Sequence, residues 1–99
     1  MDDVLLGAQA LASEKRLLIL KWLKDPASYF KANQPYDEEE GVCGLYIAQN
    51  LGISPASTSV HLKVLTQAGL VRGLRVGKFT YFRRVEAAIA ALAVQIAGL

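Results

Sequence analysis

The chain has 99 residues, 53% of them apolar, one cysteine and a formal net charge of +2. This length fits one domain with a modest core, and the apolar excess reads as surface meant for another subunit. No apolar run reaches the roughly 18 residues that a membrane span needs, Met1-Asp2-Asp3 lacks a signal-peptide pattern, and a lone Cys43 makes no internal disulfide, which fits a reducing cytoplasm.

In chain order, Val4 to Leu11 reads as a short apolar helix. Ser13 caps a second one, which runs through Leu17, Ile19, Leu20, Trp22 and Leu23 to about Lys24. Asp25-Pro26 stops it. Residues 26–40 read as a long loop, with a helical turn at Ser28 to Ala32 and an acidic run, Asp37 to Glu40. A connection of this length is unusual in a small domain and points to mobility or function. A third helix spans Leu45 to Leu51 and ends at Gly52, a left-handed stop. Ser54-Pro55 then starts a fourth. The Ser hydroxyl accepts a free backbone N–H, and Pro lacks the N–H that would go unpaired. This helix runs to about Gln67 or Ala68 and ends at Gly69.

Two short helices joined by a tight turn form a helix-turn-helix layout. In the second of them Thr58, Leu62 and Leu65 make an inward stripe. Pro55, Ala56, Ser59, Val60 and Lys63 face away, with Ser57 beside them. Short hydroxyl side chains at the amino end let a helix approach base edges, and Val60 can touch a thymine methyl. Free amide groups there favour a phosphate. Lys63, one turn on, neutralises backbone charge.

Residues 70–75 and 79–84 read as strands, joined by a hairpin tip at Val76-Gly77-Lys78. The tip cations Arg75 and Lys78 can reach a minor groove or flanking phosphates; Arg72, Arg83 and Arg84 sit nearer the base. Charge supports this. Residues 1–40 hold eight acids and five bases, whereas residues 41–85 hold six bases and no acid. Such a segregated positive stretch suits a polyanion. The candidate DNA-contacting set is Ser54, Pro55, Ser57, Thr58, Ser59, Val60, Lys63, Arg72, Arg75, Lys78 and Arg83; Thr58 belongs both to it and to the inward stripe.

The last segment, residues 85–99, is apolar apart from Glu86 and Gln95. A helix apolar on nearly all sides does not rest on a monomer surface. The expectation is a two-fold homodimer built from terminal helices at about 3–12 and 85–97 of a single domain over 1–99, through Val4, Leu5, Ala8, Ile89, Leu92, Ala93 and Ile96. A dimer places two reading helices about 34–36 Å apart on a palindromic site. The expected fold is mainly α with a two-stranded β-wing, a winged helix-turn-helix of order α-α-α-α-β-β-α.

These features resemble the ArsR/SmtB winged-helix repressors. "LASEKRLLILKWL" is similar to that family's second-helix pattern through Ser13-Glu14, Arg16 and Ile19-Leu20. "ISPASTSVHLKVLTQAGLV" resembles its recognition-helix signature through Ser54, Ser59, His61, Leu62 and the Ala68 to Val71 exit, and "RVGKFTYFRR" resembles its wing. The resemblance covers nearly the whole chain outside residues 26–40. It implies a dimeric cytoplasmic repressor that covers a promoter on double-stranded DNA and leaves when an inducer binds; the residues indicate no particular inducer. Two departures stand out. Pro55 and Val60 replace the Gln and the Arg or His often found at those positions, so base preference does not transfer. And "EGVCGL" has Gly41 where metal-binding members place the first Cys of a Cys-Val-Cys pair, while the last helix has no His, no Cys and one acid. A thiophilic metal needs several converging ligands, so no metal and no other cofactor is expected.

Cys43 reads either as a small buried residue or as a redox-sensing thiolate at a helix start. His61 reads as a packing and hydrogen-bonding residue. The acidic run reads as a solvated loop. No nucleophile–base pair, cleft carboxylate pair or phosphate-cradling Gly motif is visible, which argues against an enzyme. The alternative function is a winged-helix module whose basic wing meets an acidic protein.

Overall fold

A computed structural model describes residues 2–99; Met1 lies outside the described residues. Helix α1 spans Asp2–Leu11 and α2 spans Glu14–Lys24. The expected cap is present: the Ser13 hydroxyl accepts from the Arg16 amide at 3.3 Å. The α2 residues Ile19, Leu20 and Leu23 face the core. Helix α4 (Gly44–Leu51) and helix α5 (Pro55–Gln67) form the helix-turn-helix. Gly52 joins them at φ +70°, a conformation that costs Gly little and other residues more. Strands β2 (Val71–Val76) and β3 (Phe79–Arg84) form the hairpin, and α6 (Glu86–Ala97) follows.

The 26–40 segment departs from its reading as a loop with a turn at Ser28 to Ala32. The turn lies earlier, as α3 (Pro26–Tyr29), because Pro26 presets the first helical φ and Asp25 accepts from the Ser28 amide and hydroxyl. The rest is anchored. Phe30 is buried with its ring edge-on to Trp22, centroids 6.4 Å apart. Gln34, also buried, donates from Nε2 to Gln49 Oε1 and Asn50 Oδ1 on α4, each at 3.0 Å. A buried amide without such partners would cost several kcal/mol, on the order of 1–3. The loop is thus fastened to the first helix of the helix-turn-helix.

A second departure is a two-residue strand, β1 (Val42–Cys43), antiparallel to β3 with Val42 opposite Phe82 and Cys43 opposite Tyr81. The sheet order is β1-β3-β2. The β2–β3 register runs from Val71 opposite Arg84 to Val76 opposite Phe79, leaving Gly77-Lys78 as the loop. Gly77 has φ +61° and Lys78 has negative φ, which fits the type II′ turn whose twist matches paired strands.

One core holds these elements together. Ile19, Val42, Ile47, Leu65 and Thr58 are fully buried, and Leu62, Leu70, Val71 and Leu92 join them. At about 25 cal/mol per Å² of buried apolar surface, each such aliphatic side chain contributes about 1.5–3 kcal/mol. The core lies between α2, α5 and the root of the hairpin, so α5 and the wing project from a fixed base. No helix among the described residues is long and apolar enough to cross a membrane.

Candidate nucleic-acid interface

Helix α5 is fixed from below and bare above. Thr58, Leu62 and Leu65 are buried. Pro55, Ala56, Ser57, Ser59, Val60 and Lys63 are exposed, as their spacing predicts, with Val60 at 63%. Ser54 is the N-cap: its Oγ accepts from the Ser57 amide at 3.0 Å and donates to Ser57 Oγ at 3.0 Å. The hydroxyls of Ser54 and Ser57 are therefore held in one orientation before any ligand arrives. Among the described residues, Ser59 Oγ and Lys63 Nζ make no hydrogen bond to the protein.

Thr58 does not belong to this surface. It is 1% exposed, and its Oγ1 donates to the Ser54 carbonyl at 3.0 Å. Its hydroxyl chemistry suggested contact, but its register places it under the helix. We expect Thr58→Val to lower stability by about 0.5–1.5 kcal/mol in urea unfolding and to leave the DNA affinity of the folded protein unchanged. A specific loss of affinity with normal stability would restore Thr58 to the contact set.

The wing divides its cations into two groups. Arg75 and Lys78 are exposed at the tip, where Arg75 Nε donates to the Gly77 carbonyl at 2.9 Å and so lies along the turn. At the base the acidic loop intervenes. Arg83 Nη1 and Arg72 Nη2 both donate to the Glu39 carbonyl, the latter at 3.5 Å, and Arg72 Nη1 lies 3.7 Å from Glu40 Oε2. Asp37 shapes the loop, with Oδ1 accepting from the Glu39 and Glu40 amides at 2.8 Å each. The run is solvated as its reading expects, with Asp37, Glu38 and Glu39 exposed, and in addition its Glu39 carbonyl holds two arginines of the wing base. Arg72 and Arg83 stay exposed, but each already satisfies part of its guanidinium inside the chain. Arg84 is engaged within the fold. It donates to the Leu20 carbonyl at 3.2 Å and to Glu86 Oε1 at 3.0 Å, joining α2 to the start of α6. Its Nε is 2.9 Å from Glu86 Oε2 but not aligned as a hydrogen bond.

Between α5 and the wing lies a cleft of about 240 Å³, lined by Pro55, Ser59 and Leu62 on one side and Lys78 and Phe79 on the other. Cys43 forms part of its floor and is buried at 5% exposure. Of its two readings, the packing one fits this burial; a redox sensor requires an open thiolate. Among the described residues no group of three or more His, Cys, Asp or Glu side chains is placed to hold a metal ion.

The terminal helices present their apolar faces outward. Leu5 is 55% exposed, Ile96 is 42% and Val94 is 72%, while Ala8 and Ala93 are exposed and Val4 and Ile89 half-buried. Leu92 is corrected from interface to core: it is 6% exposed and lies against Gly7, where an added Cβ would meet its methyls at 2.8 Å.

Sequence reasoning missed one cluster. Arg16 on α2 reaches both the end of α1 and His61 of α5. The role of His61 as a hydrogen-bonding residue holds. Arg16 stood out in the sequence by position alone, and nothing local marked it as the partner.

Comparison with known proteins places this geometry. Residues 38–72, which contain the helix-turn-helix, match the family described as bacterial regulatory protein, arsR family. The chain is 41% identical over 86 residues to YbzH of Bacillus subtilis, described as an uncharacterised HTH-type transcriptional regulator, covering 86% of each chain. The chain belongs to the ArsR family. It is an HTH-type, DNA-binding transcriptional regulator with the winged fold, from a family of regulators and not of enzymes. A winged helix-turn-helix domain from Mycobacterium bovis (fragment 1–100), described as homodimeric, DNA-binding and a possible ArsR-family transcriptional regulator, is similar at 28% identity and a TM-score of 0.67, with 98% of this chain and 79% of that one covered. An ArsR-like regulator from Rhodococcus sp. RHA1 shares the fold at 22% identity and a TM-score of 0.68, covering 97% and 75%.

Proposed function

We propose that the protein is a homodimeric repressor of the cytoplasm that recognises a palindromic operator in double-stranded DNA and is released by a signal. The observation that carries this is the exposed α5 face. Ser57, Ser59, Val60 and Lys63 point away from a core that fixes the helix beneath them, and Ser59 and Lys63 are without side-chain partners among the described residues. In this reading Ser54, Pro55, Ser57, Ser59 and Val60 meet bases and nearby phosphates, whereas Lys63, Arg75 and Lys78 meet the backbone. Arg72 and Arg83 contribute charge from the wing base. The single domain spans residues 1–99, and Val4, Leu5, Ala8, Ile89, Ala93 and Ile96 face the second copy. A recess of about 160 Å³ lined only by apolar side chains, among them Leu20, Leu70, Ile89 and Ile96, supports that assignment, because it offers a socket for a partner's side chain.

Selection of bound duplexes from a randomised pool tests the proposal. The expected product is an inverted repeat with half-sites one helical turn apart. Ser59→Ala or Val60→Ala should relax preference at single positions, each by about 1–3 kcal/mol. Lys63→Ala should weaken all sequences alike. Recovery of no preferred sequence would overturn the operator reading and favour a wing that meets an acidic protein.

A further inference from the structure

The Arg16 guanidinium is shared by three helices. Its Nε donates to the Ala10 carbonyl at 2.7 Å and its Nη2 to the Gln9 carbonyl at 3.1 Å, while Nη1 lies 3.1 Å from His61 Nδ1. The two carbonyls belong to the last turn of α1, where helix geometry leaves the Ala10 carbonyl without a backbone partner, while the Gln9 carbonyl also accepts from the Ala12 amide at 3.2 Å. A cation there also complements the negative end of the helix dipole. Helix α1 carries part of the proposed dimer face, and α5 carries the proposed reading face. One side chain therefore ties the two.

This tie holds in one protonation state only. A guanidinium has donors and no acceptor. The contact therefore requires His61 Nδ1 to accept, which fixes a neutral ring with its proton on Nε2. A protonated ring has N–H groups at both positions and would set two cations 3.1 Å apart. We infer that Arg16 is a positioning residue that holds the reading helix against the dimer helix only while His61 is neutral, so that operator binding weakens in mild acid. This inference rests on the proposed reading of α5.

The surroundings favour the neutral ring. Burial, then Arg16, then Lys15 lower the His61 pKa below its ordinary 6.5. Both charges come from α2. On α5 the one other ionisable side chain is Lys63, and Asp3 of α1 lies at the end of that helix opposite the Gln9 and Ala10 carbonyls. No salt bridge joins His61 to a carboxylate among the described residues. Because the folded pKa is depressed, the stabilisation is fully present above the ordinary value and is lost as pH falls through the lowered one. Charge alone would act the other way: each added proton makes the protein more attractive to phosphate. A loss of operator affinity in acid is therefore a specific sign of the tie.

His61 is the single histidine of the chain, so its ring signals need no assignment. In long-range proton–nitrogen NMR of the DNA-free protein, we expect the Nε2–H form at neutral pH and a midpoint below 6.5. In Arg16→Met the midpoint should rise and the tautomers should mix. Should that variant not fold, the pH profile of operator affinity in His61→Gln decides instead, since its amide oxygen accepts from Arg16 at any pH. From about pH 7.5 to about pH 5.5 the wild type should lose operator affinity severalfold, by less than the roughly tenfold that a midpoint at the ordinary value would allow. His61→Gln should stay level, with both proteins remaining dimeric. A parallel fall in both proteins, or an Nδ1–H tautomer, would overturn the inference. Binding to no duplex at all would instead overturn the reading of α5, and the NMR spectrum would still decide the Arg16–His61 bond.

Discussion

Raising the salt from about 50 to about 200 mM should weaken operator binding by about a thousandfold. The expectation follows from three exposed cations per protomer on the proposed DNA-facing side, Lys63 on α5 and Arg75 and Lys78 at the wing tip. In a dimer they make six phosphate contacts, and each contact releases condensed counterions, giving a log–log slope of about −5. Arg72 and Arg83 add less, because the Glu39 carbonyl and the Glu40 carboxylate already occupy them. The double variant Arg75→Ala, Lys78→Ala should keep only the Lys63 pair. Its slope should fall to about −2 and its loss over the same range to about tenfold. Unfolding curves should be unchanged, since both side chains are exposed. A variant slope equal to that of the wild type would remove the wing tip from the interface.

Replacing Gly41 by alanine should cost about 2–4 kcal/mol of stability. Gly41 sits at φ +97°, outside the region open to residues with a Cβ. An added Cβ would also lie 1.9 Å from the Phe82 carbonyl oxygen and 2.5 Å from its carbon, both backbone atoms that cannot swing aside. The cause is the approach of β1 to β3 just beyond a turn that Asp37 and Gly41 close with reciprocal hydrogen bonds of 2.9 and 2.8 Å. Small domains have only about 5–15 kcal/mol to lose, so the shift in urea midpoint should be large at constant slope. A cost below about 1 kcal/mol would mean that the turn rearranges freely. The same geometry bears on metal sensing. A cysteine at position 41, which a Cys-Val-Cys pair with Cys43 would require, meets the same two obstacles. The family's thiolate pair is therefore disfavoured here by backbone as well as by sequence.

Local chemistry was legible in the sequence. Ser13, Ser54-Pro55 and Gly52 mark helix ends because caps and left-handed stops act within a few residues. The hairpin followed from Gly77 and strand alternation. What sequence missed arises between distant segments. Strand β1 is only two residues long and exists because Val42 and Cys43 pair with Phe82 and Tyr81. The division of the wing cations depends on where residues 37–40 fold back, and charge counting treats all arginines alike. Leu92 looked like interface because α6 is apolar nearly all round, so periodicity could not say which face turned inward. Thr58 shows the reverse: its spacing was right, and the chemical appeal of a hydroxyl overrode it. Arg16 and His61 are 45 residues apart, and only packing reveals their contact.

Hydroxyl-radical footprinting of the selected duplex tests the central claim most directly, that two copies of α5 enter successive major grooves with the wings on the flanks. The predicted pattern is two symmetric protected patches about one turn apart, roughly 34–36 Å, with outer protection that disappears when Arg75 and Lys78 are alanine. A single unsymmetrical patch, or protection that survives loss of the exposed α5 side chains, would contradict it.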